Sequence, residues 1–181
     1  MPATVRLNDI VDALEMQFDE SSSFLDRATG QVETVSHFLL REAEKSGDGE
    51  EPDLPTWQKQ EWEIAKRIVS SDHFQRLPTK FEVHEWAIMQ DFSRSVESDR
   101  ISEDLLRAIH GAGAFRNFKE TLRRHRIESD WFAFRREALR LIALNLVRRE
   151  PHCLAVRMRV TILLMWQGRP RRLGHPSVPT V

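Results

Sequence analysis

A chain of 181 residues, 40% hydrophobic and with a single cysteine, excludes two full domains, global disorder and an internal disulfide. Its N-terminus lacks the apolar stretch of a secretory signal, and its longest apolar run, 153–166, falls short of the roughly 20 residues that span a bilayer, so a cytoplasmic location is expected. The formal charge of −1 hides a division: residues 1–104 carry 11 basic and 23 acidic side chains, and residues 105–181 carry 16 and 5. Either the two halves neutralise each other inside one fold, or the basic half meets a polyanion.

In chain order, Ile10, Val11, Leu14 and Phe18 recur at helical spacing, which predicts a helix over 9–17 with Asn8 as its N-cap. Residues 24–26 and 31–35 flank a turn containing Gly30 and predict a β-hairpin. A short helix over 37–45, capped by Ser36, precedes an acidic loop over 46–55 that holds two glycines and two prolines. Residues 57–69 form the next expected helix, with Trp57, Ile64, Ala65 and Ile68 on its inner face. Thr79 and Glu82 then spell a capping box ahead of an apolar stripe of Phe81, Ile88, Phe92 and Val96. Ser102 is expected to cap a helix through Ile109 that ends at Gly111 and Gly113. Phe115, Phe118 and Leu122 mark another helix. The last opens at Ser129 or Asp130 and carries Trp131, Phe134, Ala138, Leu139, Ile142 and Leu146. The class is α+β, predominantly α-helical, with a small N-terminal β-hairpin packed on a helical domain.

Three runs carry a family resemblance: LNDIVDALEMQFDESSSFLDRATGQV, LPTKFEVHEWAIMQDF and GAGAFRNFKETLRRHRIESDWFAFRREAL. Over about residues 5–144 the chain resembles the bacterial uncharacterised protein family 0158. That family has no assigned activity, so the resemblance implies membership but no cofactor, substrate or catalytic residue. Phe24, Phe74, Trp86 and Phe132 stand at aromatic positions where relatives commonly have tyrosine, which this chain lacks. In that family the last helix usually continues past the equivalent of Leu144 with a short acidic, Trp-containing ending and then stops. Here the chain continues to Val181, and the segment from Arg148 holds seven arginines, no lysine and one acid. Residues 1–147 are therefore expected as one family-like globular domain. Residues 148–181 are expected as a basic, poorly ordered tail arising from a frameshift near codon 145, or alternatively as a lineage-specific appendage. Val156, Met158, Val160 and Ile162 alternate with polar residues like a strand, yet no partner is evident.

No catalytic constellation emerges. His84 and Glu85 have Ile88 where a zinc site needs a second histidine, so no metal or cofactor is assigned. Cys153 has no histidine motif around it, and Gly111 and Gly113 lack the third glycine and preceding strand of a phosphate cradle. The pattern that remains is Arg116, Lys119, Arg123, Arg124, Arg126, Arg135 and Arg136, interleaved with Phe115, Phe118, Trp131, Phe132 and Phe134. Cations neutralise phosphates and exposed rings stack on unpaired bases. Against this, Phe115 and Phe118 sit at core spacing, and the arginines have an acidic half to pair with. The expected function is a non-enzymatic binding or regulatory module acting through a protein partner or a nucleic acid. The alternative is an enzyme of unrecognised type acting on a phosphorylated or nucleic-acid substrate. A pocket uniting His84, Glu85 or Asp91 with the arginines would favour the enzyme, and an open arginine surface the binder.

Overall fold

The computed structural model describes residues 3–46, 53–148 and 154–157. Strand β1 (Ala3–Arg6) runs directly into α1 (Leu7–Glu15), which starts two residues earlier than its spacing predicts. Arg6 takes the N-cap position and bonds Asp9 at 3.0 Å, so Asn8 lies inside the first turn and caps nothing. Leu7, Ile10, Val11 and Leu14 are buried, whereas Phe18 lies beyond the helix and is exposed.

The expected hairpin is present as β2 (Ser21–Asp26) and β3 (Val32–Ser36), antiparallel with Leu25 opposite Val32. Its turn is built by Asp26, a buried carboxylate that accepts bonds from the Ala28 N–H (2.8 Å) and the Thr29 hydroxyl (2.9 Å). Gly30 completes the reversal at φ +77°. A third strand, β4 (Phe74–Arg76), pairs with the other edge of β2, making β2 central in the order β3-β2-β4. Three residues are too few to display alternation, which is why the sequence pattern does not reveal it.

Helices α2 (His37–Ser46) and α3 (Thr56–Ser70) form a small cluster of their own with Val35, Leu39, Ala43, Trp62 and Ala65. The Ser36 hydroxyl accepts a long 3.4 Å bond from the Leu39 N–H, the cap expected there. Trp57 is 74% exposed, and Trp62 is the buried indole instead. At 100° per residue the two lie about 140° apart around the helix, so they cannot share a buried face. Of the acidic loop, residues 47–52 lie outside the described residues.

The capping box forms only in part. The Glu82 carboxylate accepts the Thr79 N–H at 2.8 Å, but the Thr79 hydroxyl donates to that same carboxylate at 3.0 Å and caps no N–H. The segment is an isolated turn. The helix, α4 (Glu85–Ser95), restarts after His84, which adopts φ +50°, and Phe81 is left exposed. The bonds from Thr79, first its N–H and then its hydroxyl, hold the Glu82 carboxyl below its ordinary value of 4.5, with Arg76 adding to the effect. A lowered folded-state value stabilises above the pKa of an unfolded glutamate, and that support is lost as pH falls through the lowered value. Urea midpoints of wild type and Glu82→Gln should therefore differ at pH 6 and converge as the pH is taken well below 4.5. Since the hydroxyl caps no helix N–H, Thr79→Ala should cost less than the usual cap loss of about 1 kcal/mol by urea titration.

Helix α5 (Asp99–Ala108) begins with Ser98 at its N-cap, and Ser102 lies inside it, its N–H bonded to the Ser98 carbonyl at 2.9 Å. Next come α6 (Ala114–His125) and α7 (Glu128–Arg148). The main core draws Ile10 and Leu14 of α1, Leu25 of β2, Met89 and Phe92 of α4, Leu105 of α5, Phe118 and Leu122 of α6, and Trp131, Leu139 and Ala143 of α7. At its centre Phe92, Phe118 and Trp131 meet edge to face, with centroids 4.9 to 6.3 Å apart. The fold is α+β and helix-dominated, with seven helices among the described residues. Beyond α7, β5 (Leu154–Arg157) pairs in parallel with β1, Ala3 opposite Leu154 and Arg6 opposite Arg157. That is the partner the alternating C-terminal pattern lacked. Residues 149–153 and 158–181, most of the expected tail, lie outside the described residues.

Candidate polyanion-binding face

Helix α6 buries a narrow arc, Phe118, Thr121 and Leu122, and exposes the rest of its circumference. At 100° per residue, Arg116, Lys119 and Arg123 fall within an arc of about 60°. Together with Phe115 and Glu120 they line one shallow, open cleft. Arg116 pairs with Glu120 at 3.2 Å and Arg123 with Glu128 at 3.2 Å, and the two guanidinium side chains are 84% and 66% exposed. Such pairs are worth about 0–1 kcal/mol, and an arginine placed N-terminal to its acid at i,i+4 has the weaker orientation. An incoming phosphate has little to displace. Lys119, Arg124 and Arg126 have no acidic partner among the described residues.

Arg126 sits in the left-handed region at φ +56°. Its N–H bonds the Arg123 carbonyl and the Ile127 N–H bonds the Leu122 carbonyl, both at 3.1 Å, the Schellman pattern that closes a helix. Glycine is the residue that fits this position without strain, and an arginine there costs about 1 kcal/mol or more.

Arg135 and Arg136 behave differently. Arg135 binds Glu85 of α4 through two nitrogens at 2.5 and 3.3 Å, with both side chains largely buried. Arg136 bridges Asp12 at 2.8 Å and Glu15 at 2.6 Å on α1, and the bond to Asp12 raises its pKa further above the ordinary range. These two tie α7 to its neighbours, which is intramolecular neutralisation of the acidic half. Glu85 is thereby committed to a salt bridge.

The rings divide in the same way. Phe118 and Trp131 are core and Phe134 packs against it, while Phe132 is exposed and Phe115 is 50% exposed, contrary to the core position its spacing suggests. Phe115 lies in the first turn of α6, two residues after Gly113, at the axial end of the buried arc.

A second feature escapes sequence reading. A cavity of about 130 Å³ is lined by Gln17, Phe18, Ser22, His37, Lys80 and Phe81, among others. Within it a 2.9 Å hydrogen bond joins Ser22 Oγ and His37 Nε2. The hairpin register brings them together: Ser22 stands opposite Val35, and His37, two residues further along the chain, is its diagonal neighbour, with its own N–H on the Glu20 carbonyl. The spacing suits a nucleophile and its base, but among the described residues no carboxylate bonds His37 to orient it.

Neither a curated protein nor a solved structure matches the chain. The profile of the Uncharacterised protein family (UPF0158) matches residues 1–162, so the family likeness extends past Leu144. All seven described helices and β5 fall inside that match, and the chain belongs to the Uncharacterised protein family (UPF0158).

Proposed function

We infer that this protein is a non-enzymatic binding or regulatory module whose α6 face engages a nucleic acid. The observation that carries this reading is the set of five basic side chains on and just after one exposed helix, three of them without an acidic partner among the described residues. Intramolecular pairing accounts for Arg135 and Arg136, whereas Arg116 and Arg123 are held only by exposed pairs, and Lys119, Arg124 and Arg126 by none among the described residues. An open arginine surface favours a binder over an enzyme, and Glu85 pairs with Arg135 between α4 and α7, away from the α6 cleft. The positive φ at Arg126 supports the same reading, because backbone strain at a non-glycine residue concentrates at functional positions.

The test is anisotropy with labelled RNA and DNA oligonucleotides across a salt series. Affinity should fall steeply between 50 and 200 mM salt, and the triple change of Arg123, Arg124 and Arg126 to Ser should weaken binding and flatten the slope by up to about three. Absence of binding at low salt would remove the nucleic-acid reading and leave a protein partner. Arg126→Gly separates the two demands on that residue. It should gain up to about 1 kcal/mol of stability by relieving the positive φ, while losing affinity.

A further inference from the structure

We propose that the α6 face takes single-stranded nucleic acid in particular, with Phe115 as the platform on which one unpaired base stacks. This rests on the nucleic-acid reading above and specifies its ligand. Phe115 is half-exposed on the border of the basic strip and lines the same cleft as Arg116, Lys119 and Arg123. It has no aromatic or cationic ring partner among the described residues. A duplex keeps its bases stacked inside and offers α6 only phosphates, for which the cations suffice and a phenyl ring contributes nothing. An unpaired base presents a π-face to the ring, while its flanking phosphates meet the cations beside it. From Arg116 to Arg123 the strip runs about 10 Å along the helix, enough to meet the phosphates that flank one unstacked base. Among the described residues Glu120 is the one acid lining the cleft, and it holds Arg116 at 3.2 Å, so an entering strand must part that pair.

The experiment uses the full chain with three fluorescein-labelled 12-mers: single-stranded RNA, the matching single-stranded DNA, and the DNA duplex, with unlabelled heparin as a competing polyanion that has no bases. Single strands should bind at least fivefold more tightly than duplex. Phe115→Ala should weaken single-strand binding about tenfold and leave duplex and heparin binding unchanged. Phe115→Trp should restore the affinity, with its added indole emission quenched by single strands alone. Glu120→Gln should tighten binding to every polyanion severalfold. Phe115 lies outside the core, so its variants keep the fold, and urea titration checks this. Equal affinity for duplex and single strand, or a Phe115→Ala protein that binds single strands as wild type does, overturns the base-stacking assignment while the polyanion face stands. Failure to bind any of the three oligonucleotides or heparin overturns both.

Discussion

Truncating Trp131 to alanine is expected to remove about 3–5 kcal/mol of stability, measured as a shift of the urea midpoint. The indole is 5% exposed and packs edge to face against Phe118 at 4.9 Å and Phe92 at 5.4 Å, so it joins α7 to α6 and α4 at one point. Removal loses the transfer energy of a large ring. It also leaves a void lined by Phe92 and Phe118, which hold each other edge to face, and Phe92 is further pinned by Phe134, which limits collapse. Phe118, buried and in the same contacts, would be left edge-on to empty space. A Trp131→Ala protein as stable as wild type would mean that this aromatic cluster is not a centre of the core.

Replacing Gly30 with alanine should cost about 2–4 kcal/mol, from two sources that act together. The residue adopts φ +77°, where a side chain is strained whatever space surrounds it. A Cβ would also stand 2.6 Å from the Thr4 carbonyl oxygen and 3.0 Å from its carbon. Those are backbone atoms of β1, beside the fully buried Val5, and cannot swing aside as a flexible side chain would. Relief requires prising the hairpin turn from β1. Gly111→Ala is the control: it has the same kind of positive φ (+81°) with nothing near its Cβ, so it should lose only the conformational part. Thermal or urea unfolding of the two variants separates strain from collision, and equal losses would show that the contact with Thr4 contributes nothing.

Much of the helical architecture was legible because its signal is periodic. Ile10, Val11 and Leu14 occupy the face their spacing predicts, as do Phe118 with Leu122 and Trp131 with Leu139. What failed is local and has physical reasons. Asn8 and Ser102 are good capping residues, but capping is settled by where the chain turns, and β1 delivers the start of α1 two residues too early for Asn8 to act. Thr79 and Glu82 satisfied each other instead of a helix, because His84 breaks the path before Glu85. Phe115 shares the angular position of a core residue and differs only in lying at the helix end, which periodicity does not encode. On the candidate face, the separation of Arg135 and Arg136 from the α6 cations depends on Glu85, Asp12 and Glu15, all distant in sequence. Charge counting shows that acids are available to pair. Only the fold shows which arginines they reach.

The parallel pairing of β1 with β5 has a consequence for biosynthesis. Ala3 leaves the ribosome about 150 residues before its partner Leu154, which at 5–20 residues per second is an interval on the order of ten seconds. Throughout that interval the edge of β1 that β5 will cover presents free N–H and C=O groups while the helices assemble around the other elements. The Gly30 turn, which packs against Thr4, is synthesised soon after β1 itself. The nascent chain therefore carries a strand whose β5-facing edge stays open until synthesis is nearly finished. Ribosome-stalled chains ending before residue 154 should capture β-pairing peptides that the released full-length protein ignores.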